Sequence, residues 1–387
     1  MGSNLLAMDC GLTEDLLLLQ QTARDFADQV LKPGASRLDQ EERFPQVHWK
    51  QLADMGFLGL LIPEEYGGSG LGNVPLVVVL EELNRACAST GVTVSVQNSL
   101  VGGPIVKFGS EDQKRRYLSK LATGELVGAY AITEHAHGSD AGAIETTAVR
   151  KGESYVLNGR KAWITSGATA GLVIVFASTH RGQGSRGITA FLVERGFRGL
   201  SVGKHEKKLG IRGSETVELL LEDVEVPAEN VLGEPGKGFK LALSTLDGGR
   251  IGIAAQASGI LAACLEDSTL YARDRKQFGK AIAEFQPIQW KIANMAVDLD
   301  ASRLLTRRAA WLRDQGRPHT KEAAMAKLFA SEAANRAATQ AVQIHGGAGY
   351  CKDFAVERYF RDAKITEIYE GTSEIQRLVI SRNVLET

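Results

Sequence analysis

The hydrophobic period changes twice along the chain, and no other feature limits more strongly what the chain can fold into. Residues 1 to about 128 have the period of helices, whereas residues 129–235 have the alternation and turn residues of short strands. From 236 onward the helical period returns in long segments. A chain of 387 residues is also too long for one compact core. We therefore predict an α+β protein of three domains: helices in 1–128, strands in 129–235 and helices in 236–387.

The N-terminal zone predicts several helices. Apolar residues between Leu16 and Val30 share one face of the first helix, and Thr13 is placed to cap its N-terminus. Lys32-Pro33-Gly34 is a strong breaker and is expected to end this helix. The same reasoning predicts further helices at 47–55, 75–88 and 111–122, and a loop at 63–70.

The other two zones predict a β domain and a helical bundle. Asn158-Gly159, which lies between two apolar stretches, is the strongest hairpin signal in the chain. Further strands are predicted at 172–176, 188–193 and 216–221, so this zone should form a small β-barrel or β-sandwich. Long helices with Ala-rich faces are predicted at 237–273, 284–314, 320–344 and 371–384, which favours a four-helix bundle that also carries an oligomer interface.

Composition argues against several classes of function. The 45 basic and 46 acidic residues nearly cancel, which leaves no net field to attract nucleic acid or a membrane surface. The four cysteines are scattered without a Cys-x-x-Cys pair, which argues against a zinc site and a disulfide framework and favours a reducing compartment. No apolar run is expected to reach the length of a membrane span, and no secretory signal is expected.

One acidic residue, Glu370, is placed where a carboxylate would be a strong base. It follows Tyr369 and directly precedes the turn Gly371-Thr372-Ser373, which opens a terminal helix. A carboxylate between an aromatic ring and a tight turn is poorly solvated, and desolvation raises its pKa. A glutamate before a helix N-terminus, however, often only compensates the helix dipole. The segment alone leaves both interpretations open.

Six motifs follow one another along nearly the whole chain, at residues 130–140, 163–165, 208–214, 274–279, 343–350 and 368–372. They resemble the motifs of the acyl-CoA dehydrogenases, flavoenzymes that introduce a double bond between Cα and Cβ of acyl thioesters. The motifs lie in matching zones of the chain, and six of them in this order are hard to reach by chance.

The resemblance implies the acyl-CoA dehydrogenase fold, in which FAD lies between the β domain and the C-terminal bundle. It implies that Glu370 removes the α-proton of the substrate while the flavin accepts the β-hydride. It also implies that the backbone N–H of Glu370 and a ribityl hydroxyl of FAD hold the carbonyl oxygen, where negative charge develops. No Rossmann Gly-x-Gly-x-x-Gly motif follows a strand, so the FAD has to be held in another way.

The same resemblance assigns FAD contacts to two groups of residues. The loop 133–140, called the flavin loop here, and neighbouring strands would line the isoalloxazine and its linker through Tyr130, Ile132, Thr133, Gly138, Ser139, Trp163, Ile164 and Thr165. The second group would reach the FAD of a neighbouring subunit or lie near the last helix: Arg275, Gln277, Phe278, Gln286, Gln343, Ile344, Gly346, Gly347, Thr372 and Glu374. Two simpler interpretations stay open. Trp163 would be a core aromatic of the β domain, and Arg275 would belong to an exposed basic helix end.

For the acyl thioester, the resemblance assigns contacts to Ser139, Asp247, Arg250, Tyr369, Glu370 and Gly371. Asp247 and Arg250 lie three residues apart on a helix and could instead pair with each other. Isovaleryl and long-chain relatives place the base on the helix that here contains 246–250, and this stretch has no Glu. Residues 93–100 look most like the short-chain, butyryl-type branch. Gly91 stands where glutaryl relatives carry Arg, which argues against a dicarboxylyl substrate.

The flavin loop departs from the family pattern at His135 and Ala136, where relatives have Pro and Gly. Loss of Pro relaxes the backbone, whereas Ala restricts it where Gly would be free. The change, which also places His137 in the loop, is either a tolerated surface change or one that alters flavin potential or partner docking. His345 occupies a position that varies among relatives, and we interpret it as structural.

These features predict an FAD-dependent dehydrogenase of a short-chain acyl-CoA. The resemblance further implies an electron-transfer flavoprotein as electron acceptor, a homotetramer built as a dimer of dimers, and a location in the bacterial cytoplasm or the mitochondrial matrix. Two alternatives stay open: a biosynthetic desaturase that acts on a carrier-protein thioester, and a flavoprotein that retains the scaffold only for binding, for example of nucleic acid. The near-neutral charge and Glu370 argue against the second alternative.

Overall fold

A computed structural model describes residues 12–386, and its N-terminal zone is helical as predicted. The Thr13 hydroxyl accepts the N–H of Leu16 at 3.3 Å and caps the first helix, which confirms that boundary. The last helix of the zone begins with a capping box between Ser110 and Gln113. The helices are α1 (Glu14–Phe26), α2 (Ala35–Glu41), α3 (Gln46–Asp54), α4 (Asn73–Ala86), α5 (Ala88–Ser95), α6 (Gly103–Phe108) and α7 (Glu111–Ala122).

The predicted helix break at Lys32-Pro33-Gly34 is wrong. α1 passes into a π-helical turn, Ala27–Leu31, and then into a 3-10 turn, Lys32–Gly34, that runs directly into α2. Pro33 stands in the first turn of this new segment, where the missing N–H of proline is tolerated. A second π-helical segment, Val96–Gly102, links α5 to α6 in a stretch for which the sequence predicted no helix.

The middle zone forms a sheet of eight strands within the described part of the chain. Its two halves meet where β2 and β4 share one residue pair, and one apolar core draws side chains from both halves, so it resembles the predicted sandwich. The end strands β6 and β8 do not pair with each other in residues 12–386, which argues against a closed barrel. The strands are β1 (Gly128–Ala131), β2 (Thr147–Lys151), β3 (Ser154–Thr165), β4 (Leu172–Ser178), β5 (Ile188–Glu194), β6 (Leu200–His205), β7 (Thr216–Pro227) and β8 (Val231–Leu232), in the order β6-β7-β3-β2-β4-β5-β8 with β1 parallel to β4.

The predicted Asn158-Gly159 turn is wrong. β3 runs through both residues, and the hairpin between β2 and β3 turns instead at Gly152, whose φ is 61°. The pair marks a shift in the register of β3 against β7. Asn158 exchanges two hydrogen bonds with Asp223, at 3.0 and 2.8 Å. A Cβ at Gly159 would lie 2.4 Å from Oγ1 of Thr146, so this glycine allows a close approach between strands and makes no turn.

The C-terminal zone forms the predicted bundle of long helices. Four helices agree with the predicted segments to within two residues at each end: α8 (Gly238–Asp274), α9 (Gln286–Asp314), α10 (Thr320–His345) and α12 (Ser373–Leu385). A shorter helix, α11 (Val356–Ile365), was not predicted, and a small hairpin of β9 (Lys276–Gln277) and β10 (Lys280–Ala281) follows α8.

α8 is the helix on which the other elements are assembled. By length and composition it could cross a membrane, which corrects the expectation that no apolar run has that length. Its most apolar stretch, however, is almost wholly buried inside the protein. α8 packs against α4, α9 and α10 in one core that joins the N-terminal helices to the C-terminal bundle. The stretch 246–250 therefore lies inside the protein, next to several elements.

Candidate active site

Glu370 lies at the end of a turn that follows α11, and its carboxylate is buried. The residue has a φ of 53°, in the left-handed region that is uncommon for glutamate. Its Oε2 atom has no hydrogen-bond partner among the described residues. Burial raises the pKa of this carboxyl to about 7, although the positive charges of Lys327 and Arg250 act in the opposite direction. A carboxylate with this pKa is suited to accept a proton near neutral pH.

Glycine makes the room that this carboxylate occupies. A Cβ at Gly249 on α8 would lie 1.7 Å from Oε2 of Glu370 and 3.0 Å from Cδ2 of Leu100, so no side chain fits there. Gly371, the residue after the base, has a φ of 94°, which residues with a Cβ rarely adopt. Within residues 12–386, the N–H of Glu370 donates to no acceptor. The turn thus presents a free backbone donor beside a free carboxylate.

A buried lysine holds the backbone next to Glu370. Lys327 on α10 has no exposed surface, and its Nζ donates to the carbonyl oxygen of Gly371 at 2.7 Å. Nε2 of Gln376 donates to the same oxygen at 2.8 Å. Burial lowers the pKa of Lys327 to about 8, and the negative charge of Glu370 opposes that shift. The two groups therefore favour each other's charged forms.

Asp247 and Arg250 pair with each other on α8, at 2.7 Å, and both are buried. The other carboxylate oxygen of Asp247 accepts the Thr320 hydroxyl at 2.6 Å. Nε of Arg250 and Nη1 of Arg313 are buried and meet no acceptor in the described chain. Arg313 lies against Gly248, where a Cβ would be 1.9 Å from Nη1. The two arginines therefore keep donors that a ligand could use.

Two tyrosines stand near the base. Tyr130 on β1 is buried, and its hydroxyl has no partner among the described residues. Burial, together with the charge of Glu370, raises the pKa of Tyr130. The Tyr369 hydroxyl donates to Oε1 of Gln256 on α8. The structure thus brings together the predicted residues from β1, from α8 and from the turn at 369–371.

A buried ion pair braces the start of the flavin loop. Nζ of Lys161 on β3 lies 2.7 Å from Oε1 of Glu134 and donates to the carbonyl of Ile132 at 3.0 Å. The Glu134 carboxylate also accepts the backbone N–H groups of Glu145 and Thr146, at 2.6 and 3.0 Å. Burial lowers the pKa of Lys161 to about 8, whereas the Lys161 charge and these donors hold the pKa of Glu134 below its ordinary value despite the burial of that carboxyl.

The flavin loop and the strand after it present both exposed and buried residues. Trp163 is 50% exposed and has a φ of 56°, so the interpretation of Trp163 as a core aromatic is wrong. The ring of His135 meets Trp163 edge to face at 5.2 Å, and Nε2 of His135 lies 3.4 Å from Glu218. Gly138 and Ser139 are exposed, Thr133 and Thr165 are half-buried, and the side chains of Ile132 and Ile164 belong to the core, which leaves only their backbone for a ligand.

Most of the residues predicted to reach a neighbouring FAD lie on the surface of a single chain. The hairpin of β9 and β10 places Arg275 and Gln277 in the open, and Phe278 at its tip is 92% exposed. A Cβ at Gly346 or Gly347 would meet no atom within 4 Å, so the backbone there is open to a ligand. Also exposed are Gln286, Gln343 and Glu374. A surface set of this kind is what a site shared between subunits requires.

Three residues near this set have roles in the fold of the chain itself. Ile344 is buried, and the Thr372 hydroxyl caps α12 by accepting the N–H of Ile375 at 3.4 Å. His345 is buried, stacks on Tyr271 with ring centroids 4.1 Å apart, and bonds through Nδ1 to the Ala341 carbonyl. Burial lowers the pKa of His345, as is typical of a structural histidine.

Comparison with known proteins shows that all three zones of the chain match one family. Its residues 13–125, 129–224 and 236–385 match the N-terminal, middle and C-terminal domains of acyl-CoA dehydrogenases. The mitochondrial short-chain specific acyl-CoA dehydrogenase of Mus musculus is 52% identical over 376 residues, which cover 97% of this chain and 91% of that protein. The chain belongs to the acyl-CoA dehydrogenase family.

Solved structures of similar proteins agree with this assignment. Butyryl-CoA dehydrogenase from Megasphaera elsdenii is 44% identical and superposes with a TM-score of 0.96, covering 98% of this chain and all of that one. A chain solved in work on the electron transferring flavoprotein of Acidaminococcus fermentans is 46% identical, with a TM-score of 0.97 and coverage of 98% and 100%. The predicted three-domain fold of an acyl-CoA dehydrogenase is therefore confirmed.

The residues of this acyl-CoA dehydrogenase fit FAD, the cofactor of the family. Trp163 and Phe278 offer exposed aromatic faces, and the backbone at Gly346 and Gly347 is open to close approach. Arg275 offers planar donors that suit a pyrophosphate. Within residues 12–386, no group of three His, Cys, Asp or Glu side chains is placed to hold a metal ion.

The buried cations Lys161, Arg313 and Lys327 were not predicted from the sequence. The signal for Lys327 was a charged residue among the alanines of α10, on a face that a bundle would bury. The signal for Lys161 was similar: it is a charged residue inside a strand, between Arg160 and Ala162. Arg313 gave no signal, because it lies near a helix end where exposed arginines are common.

Proposed function

We propose that this protein dehydrogenates short-chain acyl-CoA thioesters between Cα and Cβ, with FAD as the hydride acceptor and Glu370 as the base. The observation that carries the proposal is the buried and unpartnered carboxylate of Glu370, whose pKa is raised to about 7. The short-chain specificity in the name of the mouse relative and the butyryl-CoA of the bacterial structure support the substrate class.

The chain's own part in this reaction is to bind the thioester, orient it and accept a proton. In the proposed step, a carboxylate oxygen of Glu370 takes the proton from Cα. The free N–H of Glu370 donates to the thioester carbonyl oxygen, where negative charge develops as the proton leaves. Burial of the carboxylate keeps water away from the transferred proton. FAD, when bound, supplies the acceptor for the hydride that leaves the β-carbon.

We assign FAD binding to two groups of residues. Residues on the flavin loop and near Trp163 would hold the isoalloxazine, and a second group, most of it on the surface of the chain, would hold the remainder, in part across a subunit interface. The first group is Tyr130, Ile132, Thr133, Gly138, Ser139, Trp163, Ile164 and Thr165, and the second is Arg275, Gln277, Phe278, Gln286, Gln343, Ile344, Gly346, Gly347, Thr372 and Glu374.

The CoA part of the substrate would contact Ser139 and the pair of Asp247 and Arg250 on α8. Because Asp247 is already bonded to Arg250 and Thr320, we assign Asp247 the task of orienting Arg250. Nε of Arg250 and Nη1 of Arg313 then remain as donors for polar groups of the ligand. Ser139 is exposed in the flavin loop, where a ligand can reach it.

The surroundings of the base support a small, uncharged acyl group. The hydrogen bond between Tyr369 and Gln256 ties the turn to α8, and Leu100 stands close to Gly249, so we propose that both limit the depth of the pocket. A Cβ at Gly91 would lie 2.3 Å from the side chain of Asn84, so an arginine has no room there. A distal carboxylate on the substrate would therefore lack that partner.

Oligomer, electron acceptor and location are proposals of the same kind. Trp290, Val297 and Leu304 on α9 are exposed, as is Phe278, and such large apolar side chains usually mark an interface. We assign them to a homotetramer that is built as a dimer of dimers. The similarity to a chain studied with an electron transferring flavoprotein supports that class of acceptor. A mitochondrial relative supports the matrix as one location, with the bacterial cytoplasm as the other.

Anaerobic bleaching of the bound flavin tests the proposal. FAD-loaded protein is mixed with butyryl-, octanoyl-, isovaleryl- and glutaryl-CoA and with a butyryl carrier protein, and the absorbance of oxidised flavin is followed. We expect the fastest bleaching with butyryl-CoA, and none in a Glu370→Gln variant that retains FAD. Faster bleaching by the carrier protein would favour the biosynthetic alternative. Normal bleaching of Glu370→Gln would exclude Glu370 as the base.

A further inference from the structure

Lys327 is a charged side chain in a place that favours apolar ones. The face of α10 on which it lies is built mostly from alanines, among them Ala323, Ala330 and Ala334, with the small polar Ser331 beside them. No part of Lys327 is exposed. An ammonium group removed from water costs several kcal/mol unless an opposite charge and hydrogen-bond acceptors compensate. Packing of the bundle does not require such a group. The groups that compensate the buried charge must therefore be those that the ammonium contacts.

The ammonium touches the turn that carries the base. Its Nζ donates at 2.7 Å to the carbonyl of Gly371, which directly follows Glu370. Both residues have positive φ, 53° for Glu370 and 94° for Gly371, and a non-glycine residue in this region needs support from its surroundings. Gln376 supplies a second donor to the same oxygen but carries no charge. Of the two donors to the Gly371 carbonyl, only Lys327 also brings a positive charge close to the Glu370 carboxylate.

Charged groups face Glu370 from two helices. Arg250 on α8 is one, but its charge is largely offset by Asp247 at 2.7 Å. Lys327 on α10 is the other: within residues 12–386 it forms no salt bridge at 4.0 Å or less, so it acts on Glu370 through its charge over a longer distance. The Tyr130 hydroxyl on β1 is neutral near pH 7, because its pKa is raised.

Two further carboxylates act on Lys327 from a distance. Glu367 is paired with Lys364 at 2.5 Å, and Glu374 is exposed on α12. Neither competes with Glu370 for the ammonium, since the first is already paired and the second is solvated. Glu370 is therefore the main charge that compensates buried Lys327, and Lys327 is the main unpaired charge that compensates Glu370.

We propose that Lys327 is a positioning residue for the base: its ammonium fixes the carbonyl of Gly371 and holds the Glu370 carboxylate in its ionised form. This inference rests on the proposed role of Glu370. It adds that the base is usable near neutral pH because of a cation on a helix remote in sequence. Without that cation the carboxyl would hold its proton to higher pH, and its turn would lose one of two supports.

Lys327→Met tests the proposal, because methionine keeps the length and apolar packing but removes the charge and the donor. We expect the acid limb of kcat/KM for butyryl-CoA to move up by about one pH unit, and kcat at pH 7 to fall about tenfold with little change in KM. Gln376→Leu removes the neutral donor and should lower kcat without moving the limb. Lys327→Arg should return the limb to its original position.

Lys321→Met, on the same helix but partly exposed, is the matched control and should change neither quantity. A Lys327→Met variant that retains FAD and shows the original limb and kcat would overturn the proposal. If this variant does not fold, the reciprocal effect decides: Glu370→Gln should lower the pKa of Lys327, followed by the ¹³Cε signal of labelled lysine, which is assigned with Lys327→Arg. Identical titrations with and without Glu370 would also overturn it. Flavin bleaching in Glu370→Gln would instead show that the proposed function has failed.

Discussion

The carboxylate of Glu370 occupies the space that a side chain at Gly249 would need: a Cβ at Gly249 would lie 1.7 Å from Oε2. Gly249 belongs to α8 and Glu370 to the turn before α12, so the position of the base depends on contact between two elements more than 100 residues apart. The absence of a side chain at Gly249 is thus a condition for the buried base.

Gly249→Ala should displace the Glu370 carboxylate and impair catalysis. A methyl group cannot occupy the same space as Oε2, so the turn or the helix has to move by an ångström or more. A displacement of this size in a base costs on the order of 10²-fold in kcat. Stopped-flow measurement of flavin bleaching by butyryl-CoA, with FAD content measured by absorbance, checks this. Gly196→Ala, where a Cβ would meet no atom within 4 Å, is the control, and equal rates in both variants would contradict the argument.

Glu370→Gln should stabilise the protein at alkaline pH. The folded-state pKa of this carboxyl is about 7, above its ordinary value of 4.5, so the folded protein binds the proton more tightly than the unfolded chain does. Ionisation of Glu370 therefore does not lower the free energy of unfolding below pH 4.5. It lowers it progressively as the pH rises to 7, and by about 3 kcal/mol above that pH. Denaturant unfolding at pH 5 and pH 8 should show that the variant gains stability mainly at pH 8. A gain independent of pH would mean that the carboxylate is solvated.

The same pKa predicts the pH dependence of the reaction. Because the base has to be ionised, kcat/KM for butyryl-CoA should fall about tenfold for each pH unit below about 7. A rate profile from pH 5.5 to 8.5 in buffers of constant ionic strength checks this. A profile that stays flat down to pH 5.5 would mean that the carboxyl is not desolvated in the functional protein.

Lys161→Met should destabilise the protein and loosen its hold on FAD. The substitution leaves Glu134 buried without its cation, and breaking a buried pair in this way costs about 3–5 kcal/mol. Lys204→Met breaks a pair with Glu206 that also spans 2.7 Å but whose lysine is 68% exposed, and should cost less than about 1 kcal/mol. Urea unfolding followed by circular dichroism compares the two variants. Similar losses in both would show that burial does not determine the strength of the Lys161 pair.

The flavin loop allows a test of His135 and Ala136, the two residues at which it departs from the family pattern. His135→Pro combined with Ala136→Gly removes the ring contact with Trp163 and restores the family pattern. If that contact affects the flavin by roughly 1 kcal/mol, the potential of the bound two-electron couple should shift by about 20 mV. Equilibration with redox dyes and turnover with the electron acceptor measure the effect, with exposed His180→Ala as control. Unchanged values would support a tolerated surface change.

Local patterns predicted what depends on local structure. The helices of the bundle were predicted because their apolar period extends over many turns. The segment around Glu370 left the role of this residue open, and only the family resemblance assigned it as the base. The Asn158-Gly159 signal failed because pairing with β7 and contact with Thr146 override the local turn preference. Exposure of Trp163 was likewise set by its position in the folded sheet.

The buried cations could not be placed from the sequence, because their surroundings come from distant segments. Lys327 meets Gly371 from α10, and Arg313 meets Gly248 from the end of α9. In each case the partner is a backbone carbonyl or a glycine. Neither offers a side chain whose charge or polarity would mark it in the sequence as the partner of a cation. Only the packing of α8, α9 and α10 brings these groups together.

The small residues along α8 have a consequence for how such a protein can diverge. Gly248, Gly249, Gly252 and Gly259 each lie so close to a neighbour that an added Cβ would collide with it, the collisions falling on Arg313, Glu370, Ser95 and Glu81. A change at any of these positions would disturb the packing of α8 against its neighbours, and a change at Gly249 would also displace the proposed base. We therefore expect acyl-chain preference to evolve through the surfaces opposite this stripe, while the stripe itself is inherited almost unaltered.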